Sequence, residues 1–183
     1  LSAAVGCSMV SGCGGQLQNF LGGAGLLRGG IAPDDAVQGE QGVVVALQNH
    51  DNRNLASTGP DVLRIIRDVD HANLSFIMDT GQWRGSPGAS GDADPEIDIY
   101  DYMAQTLPHA GYVRCKIYQI ASGREEVLDC ERIAHLLQRA NYNGCISIVY
   151  EGREQADRTE LIGKAAAYLR EVLGIDTRAK RRS

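Results

Sequence analysis

The sequence has no apolar run approaching the roughly 18 residues a membrane-crossing helix requires, so no such span is expected. Its opening stretch, LSAAVGCSMVSG, has no basic residue ahead of an apolar segment, which argues against a secretory leader. The chain also begins without Met, as a fragment or a trimmed product would. Positive charge is not in surplus: 18 Lys and Arg stand against 23 Asp and Glu, a formal net charge of −5. Binding along a phosphate backbone needs a basic face, so a nucleic-acid partner is not expected. The five cysteines (Cys7, Cys13, Cys115, Cys130, Cys145) include no CxxC pair. That pattern reads as reduced thiols in a cytoplasmic protein and excludes a disulfide framework or a zinc cluster.

Several catalytic signatures are missing as well. Gly12-Cys13-Gly14-Gly15 follows an apolar run, but position 17 is Leu where a dinucleotide-binding loop needs its third glycine. There is no Walker lysine and no G-x-S-x-G elbow. HExxH is absent, and the four histidines (His50, His71, His109, His135) are widely separated.

What is present is a chain of 183 residues, 43% hydrophobic and 22% charged, the size and balance of a single globular domain. From residue 43 onward, strand-like and helix-like segments alternate. Val43 to Leu47 is a continuous apolar run, as in a strand buried on both faces. Thr58 and Pro60 open a helix striped by Val62, Leu63, Ile66 and Val69. Leu74 to Met78 is the next strand, and Tyr100, Met103 and Leu107 mark the next helix. Tyr112 to Tyr118 is a third strand, after which Asp129 caps a helix carrying Ile133, Leu136, Leu137 and Ala140. Cys145 to Tyr150 is a fourth strand, and Leu161, Ala165, Leu169 and Val172 stripe a last helix that ends at Gly174.

The strand starts near 43, 74, 112 and 145 are separated by 31, 38 and 33 residues. Units of that size imply parallel strands joined by right-handed crossovers. The fold expected is α/β, either a (β/α) barrel or an open doubly wound sheet. Residues 1–42 differ: they hold 11 of the 22 glycines and only four charged residues, with one strand candidate at Val5–Val10. The expected organisation is a Gly-rich segment at 1–42, a barrel portion at 43–177 and a basic tail at 178–183, which reads as a solvated terminus.

Each strand ends in polar residues: Gln48 and His50, Asp79, Arg114 and Lys116, and Glu151. Side chains alternate along a strand, so Gln48 shares a face with His50, Arg114 with Lys116, and Val149 with Glu151. In a parallel barrel such ends converge on one rim, where enzymes of that architecture place their sites. The bland account of any one of them is a helix cap or a loop hydrogen bond. Together they suit proton transfer next to a carbonyl, which needs a base and a cation for the developing enediolate oxygen. Glu151 and Lys116 are the catalytic candidates. His50, Arg114, Gln48 and Trp83 are the substrate-binding candidates, Trp83 by packing on a sugar ring. Asp79 is a weak metal-ligand candidate.

Four segments, VVVALQNH (43–50), FIMDTGQ (76–82), YVRCK (112–116) and YNGCISIVYE (142–151), resemble the sugar phosphate isomerase/epimerase group with a xylose-isomerase-like TIM barrel. The resemblance spans about residues 43–174, and more faintly 3–15. It implies the C-terminal five of eight βα units, a partial barrel, and a small sugar-like substrate with no membrane or nucleic-acid partner. The family's metal tetrad of Glu, Asp, His and Glu would fall on Gln48, Asp79, Arg114 and Val149, where only Asp79 is kept. Mg²⁺ or Mn²⁺ is therefore doubtful as a cofactor, and the fixed charges of Arg114 and Lys116 are expected to replace it. The alternatives are a catalytically inactive barrel acting as a binding protein, or a truncated gene product. A partial barrel exposes strand edges, so a homo-oligomer is a further expectation.

Overall fold

A computed structural model of the chain describes residues 9–13, 44–51, 54–88 and 92–175. The apolar runs become strands β1 (Met9–Cys13), β2 (Val44–Gln48), β3 (Leu74–Asp79), β4 (Ala110–Ile117) and β5 (Cys145–Tyr150). They form one five-stranded sheet, every neighbour parallel, in the order in which they occur in the chain. Parallel neighbours require a crossover. Helices α1 (Gly59–Val69), α2 (Ile99–Thr106) and α3 (Cys130–Arg139) supply those after β2, β3 and β4, and α4 (Arg158–Val172) follows β5. A strand order that never reverses is the winding of a (β/α) barrel; a doubly wound sheet would switch direction. The result is a partial TIM-type barrel.

Local chemistry sets the helix ends. Thr58 Oγ1 accepts from Asp61 N–H (3.3 Å), with Pro60 in the first turn of α1. Asp98, Asp129 and Asp157 cap α2, α3 and α4 through Tyr100, Arg132 and Glu160 N–H at 3.0, 2.8 and 3.0 Å. Each carboxylate satisfies an orphan donor and meets the positive end of its helix dipole. Gly174, with φ of 66° in the left-handed region, ends α4.

Alternation along the strands divides the side chains into two rows. One row (Leu47, Phe76, Met78, Val113) packs against Val62 and Ile65 of α1, Met103 of α2, and Ile133 and Leu137 of α3. Cys115 and Ile117 continue it against Leu161, Ala165 and Leu169 of α4. The helix α1 therefore turns Val62 and Ile65 inward and leaves Leu63 and Ile66 only partly buried, a small rotation from the expected stripe. The opposite row (Gln48, Asp79, Arg114, Lys116, Val149) faces away from the helices, toward the barrel interior. The expected segment 1–42 falls outside the described residues apart from Met9–Cys13, and the basic tail at 178–183 lies wholly outside them. Among the described residues, no helix is long and apolar enough to cross a membrane.

Candidate active site

The site is built where β2, β3, β4 and β5 end. Register brings the key residues level: Asp79 pairs with Arg114 across β3–β4, and Lys116 with Val149 across β4–β5. Asp79 is fully buried, and an ionised carboxylate in that setting needs partners. Its Oδ1 accepts from Gly81 N–H (3.1 Å), while Oδ2 lies 3.2 Å from Lys116 Nζ and 3.6 Å from Arg114 Nε. Burial pushes the Asp79 carboxyl up, and the Lys116 and Arg114 charges with the Gly81 N–H pull it back.

Lys116 is also buried, at 1% exposure, and its ammonium donates to Glu151 Oε1 at 2.7 Å. It thus spans two carboxylates, Asp79 beneath and Glu151 at the mouth, where the Glu151 side chain is 45% exposed. Arg114 Nη1 donates to Gln48 Oε1 (2.8 Å), and Gln48 Nε2 reaches Asp79 Oδ2 at 3.5 Å. Five of the six rim residues singled out in the sequence therefore meet in one network. His50 stands at its edge, its Nδ1 3.3 Å from Asp51 Oδ1 but misaligned, so neither buried atom has a hydrogen-bond partner among the described residues.

Trp83 is a correction. It is fully buried in the core between sheet and helices, its ring centroid 6.3 Å from Phe76 and 5.8 Å from Tyr102. The loop after β3 folds back over the helix layer, where burying an indole gains more than leaving it at a wet rim. It presents no face to a sugar.

Other residues that hold the site were not apparent beforehand. Asn49, fully buried, receives Asp79 N–H on Oδ1 (2.8 Å) and donates Nδ2 to the carbonyls of Asp79 (2.8 Å) and Gln82 (3.0 Å), locking the end of β2 to that of β3. Thr80 Oγ1 accepts from Lys116 N–H at 2.9 Å. Gly81 leaves room for the lysine stem: a Cβ there would sit 2.6 Å from Lys116 Cγ and from the Tyr118 hydroxyl. Tyr118, which donates to Gly81 O (3.1 Å), is kept a phenol by burial and by the Glu151, Asp79 and Asp51 charges. At Gly152 any side chain would collide with the Tyr118 carbonyl, so only glycine lets the chain leave β5 with Glu151 at the mouth. The loop after β4 is pinned by two carboxylates. Glu125 accepts from the N–H groups of Tyr118, Gln119, Val127 and Leu128, and Glu154 from those of Ile120 and Ala121. Glu125 sits between Arg124 and Glu126 in a polar stretch, so nothing in the neighbouring sequence singles it out, and its partners are set by the loop's path.

The donor set does not fit a divalent cation. Among the described residues no group of three or more His, Cys, Asp and Glu is gathered to hold one. Both Asp79 oxygens are already engaged, Arg114 remains protonated and Val149 has no ligand atom.

A parallel (β/α) barrel portion with a charged cluster at the carboxyl ends of its strands is the class that this fold and site define. The chain belongs to the xylose isomerase-like TIM barrel family, whose model matches residues 31–172. Among solved structures it is similar to 3-keto-D-glucoside 4-epimerase from E. coli, with 21% identity, a TM-score of 0.60, and coverage of 81% of this chain and 53% of that one. It is also similar to D-psicose 3-epimerase from Clostridium cellulolyticum H10 (17% identity, TM-score 0.58, 81% and 57% covered). The IOLI protein with a bound zinc atom is a third (11% identity, TM-score 0.58, 82% and 56% covered). The chain spans little more than half the length of these neighbours. A comparison with curated proteins finds no match.

Proposed function

We propose that the rim carries out isomerase- or epimerase-type proton transfer next to the carbonyl of a small sugar or keto-sugar, without a metal ion. The observation that carries this reading is the Lys116 ammonium held between Asp79 at 3.2 Å and Glu151 at 2.7 Å. Glu151, the exposed member, takes the proton from the carbon beside the carbonyl. Lys116 and Arg114 supply the positive charge on which the enediolate oxygen settles, a role that fixed cations fill well in a site of low dielectric. Asp79 and Gln48 hold those cations in place, so little reorganisation accompanies the step. Family membership and the sugar epimerases among the structural neighbours support the substrate class.

The test is to incubate the protein with candidate ketoses in deuterated water, with and without Mn²⁺. Deuterium is expected at the carbon beside the carbonyl without added metal, and Glu151→Gln should abolish it for the sugar whose proton Glu151 takes. Absence of exchange with every ketose, or exchange only with Mn²⁺, refutes the reading. The second reading is a binding barrel that has lost catalysis, favoured by the mutually neutralising charges of Asp79, Lys116, Arg114 and Glu151. It requires that Glu151→Gln and Lys116→Met leave any trace activity unchanged.

A further inference from the structure

We propose that the substrate of this rim is a 2-keto sugar acid, its carboxylate taken by Arg114 and Ser147 and the neighbouring carbonyl lying on Lys116. The proposal rests on the proton-transfer reading for the placing of the carbonyl. It goes beyond that reading in naming the charged group on the substrate and the residues that select it.

Arg114 is the cation of the cluster whose charge is least offset. Lys116, at 1% side-chain exposure, is enclosed between Glu151 at 2.7 Å and Asp79 Oδ2 at 3.2 Å. Arg114 stands farther from that same oxygen, at 3.6 Å, and its side chain is 30% exposed. Its one hydrogen bond runs from Nη1 to the neutral amide oxygen of Gln48 at 2.8 Å. A guanidinium carries five N–H donors in a planar fork. Nη2 and the second N–H of Nη1 have no partner among the described residues, so the outer edge of that fork is open.

The partners that Arg114 does have, Gln48 and Asp79, come from β2 and β3. On its other side Arg114 is level with Ser147 of β5. Ile146 and Ile148 pack toward the helices, so Ser147 between them belongs to the inward row, about 4.8 Å from Arg114 at the backbone. Ser147 is half-buried, and its hydroxyl makes no hydrogen bond among the described residues. An open N–H fork beside such a hydroxyl matches a carboxylate, which a guanidinium binds through two parallel hydrogen bonds. One accessible positive charge also suits a monoanion better than a phosphate dianion.

The two cations fix where the carboxylate sits on the substrate. Arg114 and Lys116 converge on one oxygen of Asp79, so the groups they bind must be neighbours. A carboxylate bonded directly to the reacting carbonyl meets that requirement. In such a molecule C3 is the one carbon beside the ketone that bears a proton, and Glu151 is the base for it. The charges of Asp79, Arg114, Lys116 and Glu151 sum to zero, so no net negative field opposes the anion.

The test is calorimetry on the full chain with a matched pair, D-fructose and 2-keto-D-gluconate. These differ only at C1, a hydroxymethyl group in one and a carboxylate in the other. The acid is expected to bind about tenfold tighter or more, the scale of a charge-assisted, two-pronged contact. Arg114→Gln should bring the two ligands within about twofold of each other. Ser147→Ala leaves the ion pairs intact, which guards against a misfolded Arg114 variant, and should cut the preference about threefold. D-Fructose 1-phosphate should bind more weakly than the acid. Equal affinity of the wild type for fructose and the acid, or binding of neither, overturns the proposal. So does a preference that survives both substitutions, or tighter binding of the phosphate. Deuterium exchange at C3 is followed separately by NMR. Exchange of fructose without preferential binding of the acid overturns this inference and spares the proton-transfer reading. Preferential binding of the acid without exchange removes that reading and leaves the carboxylate site standing.

Discussion

Lys116→Met removes the one side chain that touches both carboxylates of the rim. Asp79, fully buried, would then keep as counter-ion only Arg114, whose Nε is 3.6 Å away and whose side chain is 30% exposed, beside the neutral donors Gly81 N–H and Gln48 Nε2. Breaking one partner from a buried ion pair costs about 3–5 kcal/mol, because the remaining charge is left without water and, here, with only the more distant guanidinium to offset it. The contact with half-exposed Glu151 adds little to that figure. For a chain of this size the loss corresponds to a fall of roughly 6–20 °C in melting temperature. Trp83, the only tryptophan, is buried beside Phe76 and reports unfolding by its fluorescence. The penalty should also depend on pH. Without Lys116 the upward push of burial on Asp79 is less opposed, so the carboxyl holds its proton to higher pH. The variant should therefore be least impaired in acid and lose up to about 1.4 kcal/mol per pH unit above that point. Adding Asp79→Asn should restore most of the loss, as a coupled pair requires. A deficit below about 1 kcal/mol at neutral pH, or strictly additive effects in the double variant, would refute the reasoning.

Gly81→Ala puts a methyl 2.6 Å from Lys116 Cγ and the Tyr118 hydroxyl; a loss of about 1–3 kcal/mol in urea unfolding is expected. Asp79 has its folded carboxyl raised above the usual 3.8, chiefly by burial. Stability linked to its protonated form is complete below that value and is lost as pH rises through the raised one, so Asp79→Asn should flatten that limb of the stability–pH curve. In the native protein, alkylation should label exposed Cys145 ahead of Cys115 and Cys130. The Cys130 thiol is kept protonated by its hydrogen bond with Cys115 and by burial, and mass mapping after a timed quench distinguishes the order.

The backbone plan was legible because its signals are local. Apolar runs of strand length, Thr58 and Asp129 ahead of two of the helical stripes and Gly174 behind the last one all carry their physics within a few residues, whereas the Asp98 and Asp157 caps emerged only from the structure. The convergence of Asp79, Lys116 and Glu151 was also legible, since strand parity alone sends them to one side. Asn49 and Thr80 were hidden for the converse reason: their partners are backbone groups of another strand, 30 and 36 residues away, and nothing near them in sequence reports that bond. Trp83 misled because composition cannot say toward which layer a loop folds. His50 was visible as a rim residue, but the Asp51 carboxylate behind its Nδ1 emerges only from the turn between β2 and α1.

The two rows on each strand answer to different demands. Exchanging Phe76 or Val113 for something polar would open the seam with the helices, whereas Val149 occupies a lining position that no helix packs upon. Lining positions such as Val149 can accordingly change singly without disturbing the helix seam, whereas the charged members Asp79 and Lys116 must change together. One architecture can in this way host an ion-assisted chemistry in one lineage and an ion-free one in another, separated by few mutational steps.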